Sequence, residues 1–210
     1  MTTYAAAVRS GLVEALRTAG PDAPTLCAGW TSHDLAAHLV AREHRPDSGP
    51  GILLKPLAGW TERVRTAYAR RPYDELVALV AAGPPLWSPF RLPGVDEQAN
   101  FVENLVHTED VRRGVPGWQP RELPAGLQDK IWTTLSRGAR LFYRNCPVAL
   151  TLARPDGTEH VVSSAGDPVR MTGEPLELLL YTYGRRSGAV VELTGSDTGV
   201  ARLQRMRLGI

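Results

Sequence analysis

The chain has 210 residues, of which 43% are hydrophobic and 22% are charged, as in an ordinary globular protein with one large or two small domains. Its formal net charge of +2 is too small to indicate a nucleic-acid surface. We therefore expect no nucleic-acid partner. No apolar run approaches the ~20 residues that cross a bilayer, and the N-terminus lacks the pattern of a signal peptide, so we expect no membrane partner either.

Residues 1–146 are predicted to form helices. Apolar side chains recur at steps of three and four residues over 3–19, and a Gly-Pro pair ends that stretch. The second helix has a clear start, because Thr31 is a good N-cap and Asp34 follows three residues later as a variant of the capping box. The remaining helices of this half are expected at 60–70, 72–82, 95–113 and 125–145.

The pattern changes after residue 146. Alternating β-branched residues flank an Asp-Gly pair over 148–164, which predicts a β-hairpin. Two further strands are expected at 168–173 and 188–195, and two helices at 174–186 and 197–206. We therefore predict a mainly α protein, with a helical bundle over 1–146 and a small α+β domain over 147–210. A domain of that size buries little core by itself.

Three residues indicate a metal site. Glu103 and His107 lie four residues apart, so they project from one face of their predicted helix. His38, on the second helix, is the candidate third ligand. Two imidazoles and one carboxylate leave a coordination position open, which is typical of reactive rather than structural metal sites.

A purely structural role for Glu103 and His107 also stays open, because the Glu-x-x-x-His spacing has no fixed flanking residues and is common. Apolar residues make the 95–113 helix a buried element. A buried carboxylate and imidazole need a partner. That partner is either a metal ion or a simple hydrogen bond between the two side chains.

Two neighbouring residues have open roles. Asp110 lies three residues past His107, and it either accepts a hydrogen bond from a ligating imidazole or pairs with an arginine. Cys27 is a possible fourth ligand, although packing as a small apolar side chain is favoured. The chain's two cysteines lie far apart without a Cys-x-x-Cys pattern, which indicates a reducing cytoplasm rather than a disulfide scaffold.

The segment TLCAGWTSHDLAAHLVARE and the helix VENLVHTEDVRR resemble the mycothiol-dependent maleylpyruvate isomerase N-terminal domain family, a branch of the DinB-like metal-binding bundles. The chain looks especially similar to an actinobacterial two-domain metal-binding subfamily. The resemblance implies an antiparallel four-helix bundle followed by a small α+β domain. The residues that carry it are Cys27, Gly29, Trp30, Asp34, Leu35, His38, Leu39, Glu103, His107 and Asp110.

The resemblance also implies a site. In this family the metal, usually taken to be zinc, is held by residues that match His38, Glu103 and His107, and its open position takes water or the thiol cofactor mycothiol. An arginine of the second domain is thought to act in catalysis, and Arg185 and Arg186 are the candidates. The same ligand types also hold iron or nickel, so the ligands do not select the metal.

Two classes of function follow. In the first, the chain is a metal-dependent isomerase or thiol transferase, in which the metal activates a thiol or water for a small-molecule substrate. In the second, it is a non-catalytic metal-binding or regulatory protein that reuses the same bundle. A fold alone does not decide between the two.

Overall fold

The structure is a computed structural model that describes residues 3–48, 56, 58–92, 94 and 100–208. The chain divides between residues 119 and 120 into two compact units. Within the described part of the first unit, the helices are α1 (Tyr4–Ala19), α2 (Ser32–His44), α3 (Ala58–Tyr68), α4 (Tyr73–Ala82) and α5 (Phe101–Arg112). The predicted start of the last helix, at 95–99, lies outside the described residues.

The first two helices of this unit begin where the sequence predicts. The Thr3 side chain accepts a hydrogen bond from the backbone N–H of Ala6 at the start of α1. Both halves of the capping box form at α2, since Thr31 accepts from the backbone N–H of Asp34 and Asp34 accepts from that of Thr31. This cap sets the register of α2 and therefore the face on which its later residues lie.

The core of the first unit is formed by α1, α2, α4 and α5. Each buried leucine in it contributes roughly 1.5–3 kcal/mol by leaving water. The cluster draws apolar side chains from all four helices, so it fixes the position of α2 beside α5. Its members include Leu12, Leu16, Leu35, Leu39, Leu76, Val80 and Val111.

The second unit is a small α+β domain. It contains α6 (Ala125–Phe142), β1 (Ala149–Ala153), β2 (Glu159–Val161), β3 (Pro168–Thr172), α7 (Pro175–Thr182), β4 (Glu192–Gly195) and α8 (Asp197–Arg205). The sheet order is β2-β1-β3-β4, with β1 parallel to β3 and the other pairs antiparallel. The predicted hairpin is present as β1 and β2, and Gly157 supplies the positive φ of its turn.

The division between the units lies earlier than the sequence placed it, which was after residue 146. The difference concerns α6, which packs against α7 of the second unit. Its buried stripe contains Ile131, Leu135 and Ala139. Such a stripe shows that a helix is packed, but it does not show against which partner.

The mainly helical architecture, a bundle followed by a small α+β unit, is confirmed. Among the residues that the structure describes, no helix combines the length and the apolar character needed to cross a membrane.

Candidate metal centre

The side chains of His38, Glu103 and His107 converge between α2 and α5. One carboxylate oxygen, Glu103 Oε1, lies 3.2 Å from His38 Nε2 and also 3.2 Å from His107 Nε2. The two imidazole rings have centroids 5.4 Å apart. All three donor atoms lie within 4.8 Å of one another. The structure therefore brings together the three candidate ligands that the sequence singled out.

The positions of these three side chains depend both on local helix geometry and on long-range packing. Glu103 and His107 face the same way because one helical turn separates them on α5. His38 reaches them only because α2 packs in the same core. The side chain of Glu103 is 25% exposed and that of His38 is 16% exposed, against 8% for His107. The site is thus reachable from the side of Glu103 and His38.

Glu103 is held as a carboxylate. Burial by itself would raise its pKa, but the hydrogen bonds from His107 and His38 and the positive charge of Arg42 hold the pKa well below its usual value. Arg42 Nε lies 3.6 Å from Glu103 Oε1. The guanidinium also donates to Asn100 and stacks 4.5 Å above the ring of Phe90. A fixed cation therefore stands beside the three donor atoms.

The far side of His107 is occupied by Asp110. His107 Nδ1 donates to Asp110 Oδ2 over 2.8 Å, and the Asp110 side chain is completely buried. Burial would lower the pKa of His107, but hydrogen bonds with Asp110, Cys27 and Glu103 raise it well above its usual value. Because Nδ1 is hydrogen-bonded to Asp110, Nε2 is the nitrogen that faces Glu103. It is the nitrogen that would bind a metal after giving up its proton.

His38 has the opposite environment. Burial lowers its pKa, and the charges of His107 and Arg42 lower it further against the hydrogen bond with Glu103. Its ring packs against that of Trp30, with centroids 5.2 Å apart. His38 is therefore a neutral imidazole, the form in which histidine ligates metals.

The donor set fits a divalent metal ion. It offers two imidazole nitrogens and one carboxylate oxygen from two helices, which is a known catalytic zinc set with an open position. It also has the outer partner that ligating histidines usually show, since Asp110 binds the other nitrogen of His107. Asp110 is hydrogen-bonded to His107, as one of the two roles left open for it requires.

Cys27 lies closer to this centre than the sequence suggested. It packs beside the apolar cluster, as expected for a buried cysteine, but its Sγ also lies 3.3 Å from Asp110 Oδ2. Cys27, His107 and Asp110 form a second group of donor atoms within 4.8 Å of one another. The sequence did hold a signal for this proximity, because Cys27 belongs to the same short motif as His38.

Arg185 and Arg186 lie in the second unit, just after α7. Arg185 donates to the carbonyl of Tyr183 over 2.7 Å. Arg186 stacks 5.3 Å from the ring of Tyr181 and donates to backbone carbonyls at the end of α8. Arg186 therefore stabilises the C-terminus of α8. The catalytic role of either arginine stays a prediction.

Residues 5–86 match the family described as the mycothiol maleylpyruvate isomerase N-terminal domain. This segment is therefore similar to that family. The match covers Cys27, Trp30 and His38 of the motif, whereas Glu103 and His107 lie beyond it. The family resemblance drawn from the sequence is confirmed.

Two solved structures are similar to nearly the whole chain. A mycothiol-dependent maleylpyruvate isomerase has a TM-score of 0.60 and 16% identity, over 95% of this chain and 97% of its own. A histidine-to-alanine mutant of a mycothiol-dependent maleylpyruvate isomerase has a TM-score of 0.58 and 17% identity, over the same shares. At these identities the likeness shows the fold alone. No curated protein matches the chain.

Proposed function

We propose that this protein is a metal-dependent isomerase or transferase that uses a thiol cofactor, with the metal held by His38, Glu103 and His107. One observation supports the proposal most. A single oxygen of Glu103 lies 3.2 Å from the Nε2 atoms of two histidines on different helices. Three donors aimed at one point, with one side open, suit a metal that must also bind a reactant.

The chain's own residues prepare the centre. Arg42 and the two histidines keep Glu103 ionised, and Asp110 keeps the proton of His107 on Nδ1. Trp30 packs against the His38 ring and limits its rotation. When bound, a divalent ion, for which zinc is the first choice, would supply a Lewis-acid position that lowers the pKa of a thiol or of water.

Mycothiol is the thiol that we propose, because the matching family and the similar solved structures carry it in their names. The substrate would be a small electrophile that accepts a thiol and then rearranges or keeps it. Two imidazoles and one carboxylate leave a divalent ion with a net charge near +1, so an anionic thiolate would neutralise the centre.

The metal is tested by elemental analysis of purified wild-type and His38→Ala protein. We expect about one divalent ion per chain in the wild type, and loss of tight binding in the variant, because the two ligands left on α5 make an incomplete site. His33→Ala is the matched control, since His33 lies on the same helix and its ring contacts Arg71 and Tyr73 instead. Full metal content in His38→Ala would overturn the ligand assignment.

The thiol is tested by titrating mycothiol into cobalt-substituted protein. A sulfur-to-metal charge-transfer band is expected, and it should be missing from Glu103→Ala protein that has lost its metal. A cobalt protein whose spectrum does not respond to saturating thiol would contradict the thiol-cofactor proposal. That result would favour activation of water or the non-catalytic alternative.

The proposed arginine role is tested separately. Arg185→Gln and Arg186→Gln both remove a fixed positive charge that would serve an anionic substrate or developing negative charge. Arg186→Gln should also lower the thermal stability, because it removes donors from the end of α8. If both variants keep wild-type kcat and KM, neither arginine is catalytic.

A further inference from the structure

The loop between α1 and α2, residues 20–31, contacts the surroundings of both histidines. Its residue Trp30 packs on the ring of His38. Its residue Cys27 places a thiol 3.3 Å from the Asp110 oxygen that also binds His107. The loop therefore lies behind the metal centre, where it can control how the ligands are oriented.

Backbone contacts hold this loop on the end of α5. The backbone N–H of Leu26 donates to the carbonyl of Asp110 over 3.0 Å. At Gly114 a Cβ atom would lie only 2.1 Å from the carbonyl oxygen of Pro24, so the two backbones touch. Pro24 also forms a β-bridge with Thr31. The position of the Cys27 side chain is thus set by the backbone around it.

Asp110 Oδ2 is the shared acceptor of two donors. Cys27 Sγ and His107 Nδ1 both lie within hydrogen-bond distance of this one oxygen, at 3.3 Å and 2.8 Å, and Cys27 also contacts His107. The carboxylate is completely buried, so water does not orient it. Removing a donor from a buried carboxylate changes both its orientation and its solvation.

We propose that Cys27 is a positioning residue of the metal centre, whose thiol holds Asp110 Oδ2 in place so that His107 presents Nε2 toward Glu103. The inference rests on the metal site proposed above. It differs from apolar packing, the other role open to Cys27, because packing needs volume whereas positioning needs a hydrogen-bond donor.

Two substitutions separate these roles. Cys27→Ser keeps a donor and loses apolar character, whereas Cys27→Val keeps apolar volume and loses the donor. Zinc affinity is measured by competition with a chelator. We expect Cys27→Val to bind zinc about 10-fold more weakly, at the low end for outer partners of metal ligands. Cys27→Ser should stay within about threefold of wild type, because its hydroxyl still donates to Asp110.

Cys146 provides the matched controls. It is the second free cysteine and lies in the other unit, so Cys146→Ser and Cys146→Val should leave zinc affinity unchanged. A thermal melt of every variant shows whether it is folded. If Cys27→Val binds zinc like the wild type while Cys27→Ser is weakened, Cys27 only packs and the inference is overturned.

A metal-free measurement keeps this inference separate from the proposed function. The ring-nitrogen NMR shifts of His107 report whether its Nδ1 proton is held by Asp110. In metal-free protein they should move in Cys27→Val and stay close to wild type in Cys27→Ser. Unchanged shifts in Cys27→Val overturn the positioning role even if zinc binds. If the wild-type protein binds no metal, the proposed function fails. A change of the His107 shifts seen only in Cys27→Val would then still show that Cys27 orients His107, but not that it serves a metal site.

Discussion

Two buried helices, α5 and α7, show how differently a protein can use the same degree of burial. Every residue of α7 is buried, and most of them are apolar. Nearly every residue of α5 is buried as well, but its buried set includes Asn104, His107, Thr108, Glu109 and Asp110. Because each polar group needs a partner away from water, α5 carries a network that α7 does not need.

Buried charge by itself does not mark a functional site. Glu177 of α7 accepts from the backbone N–H of Val190 over 2.8 Å, which secures the chain after the helix. Glu109 of α5 pairs with the fully buried Arg113 over 2.6 Å. Glu103 differs from both carboxylates, because donors from two helices converge on one of its oxygens and part of it stays exposed. Donor atoms that converge on a partly exposed carboxylate are the feature that indicates a reactive site.

The largest effect is expected from removing the convergent carboxylate. At the proposed metal site, Glu103→Ala should weaken zinc binding by about 10³-fold, since one of three ligands carries roughly a third of a binding free energy of about 10–16 kcal/mol. Glu177→Ala, on the other buried helix, should keep wild-type affinity. Chelator competition measures both constants. Equal losses of zinc affinity in the two variants would mean that removing any buried carboxylate disturbs the fold. Glu103 would then not differ from Glu177.

The buried ion pair of α5 should affect stability rather than metal binding. Glu109→Gln leaves the completely buried Arg113 without its carboxylate, so we expect the free energy of unfolding to fall by about 3–5 kcal/mol. Urea denaturation of the metal-free protein measures it. Zinc affinity of the folded variant should match the wild type, and a parallel loss of zinc would show that Glu109 belongs to the centre.

Asp110 should show the reverse pattern. Asp110→Asn disturbs the acceptor that holds His107 Nδ1, so zinc affinity should fall by about 10- to 100-fold, as for other outer partners of ligating histidines. Zinc affinity is again measured by competition with a chelator. Glu109→Gln, one position away, is the control, because it is expected to keep wild-type zinc affinity. Unchanged affinity in Asp110→Asn would remove Asp110 from the centre.

The smallest effect is expected at the helix starts. Thr31 caps α2, the helix that carries His38, whereas Glu174 precedes α7 without a side-chain cap. Thr31→Ala should therefore lower the free energy of unfolding by about 1 kcal/mol, and Glu174→Ala by less. Denaturation midpoints compare the two. A larger cost at Glu174 would show that contacts other than capping decide the stability of these helix starts.

Local features of this protein could be predicted from its sequence, because they depend on residues a few positions apart. The capping box at Thr31, the hairpin turn at Gly157 and the shared face of Glu103 and His107 all arise within one turn of chain. The family motif around His38 is equally local, and the matched family model covers it. Short-range periodicity and capping determine such features before any tertiary contact forms.

Only the tertiary structure decided which of these local features meet. His38 and Glu103 are 65 residues apart in sequence, and Cys27 and Asp110 are 83 apart. Their contacts depend on how α2 and the α1–α2 loop pack on α5. The assignment of α6 to the second unit and the binding of Arg186 to the end of α8 have the same origin. A helix pattern specifies which face is buried, but its partner is set by packing across the whole core.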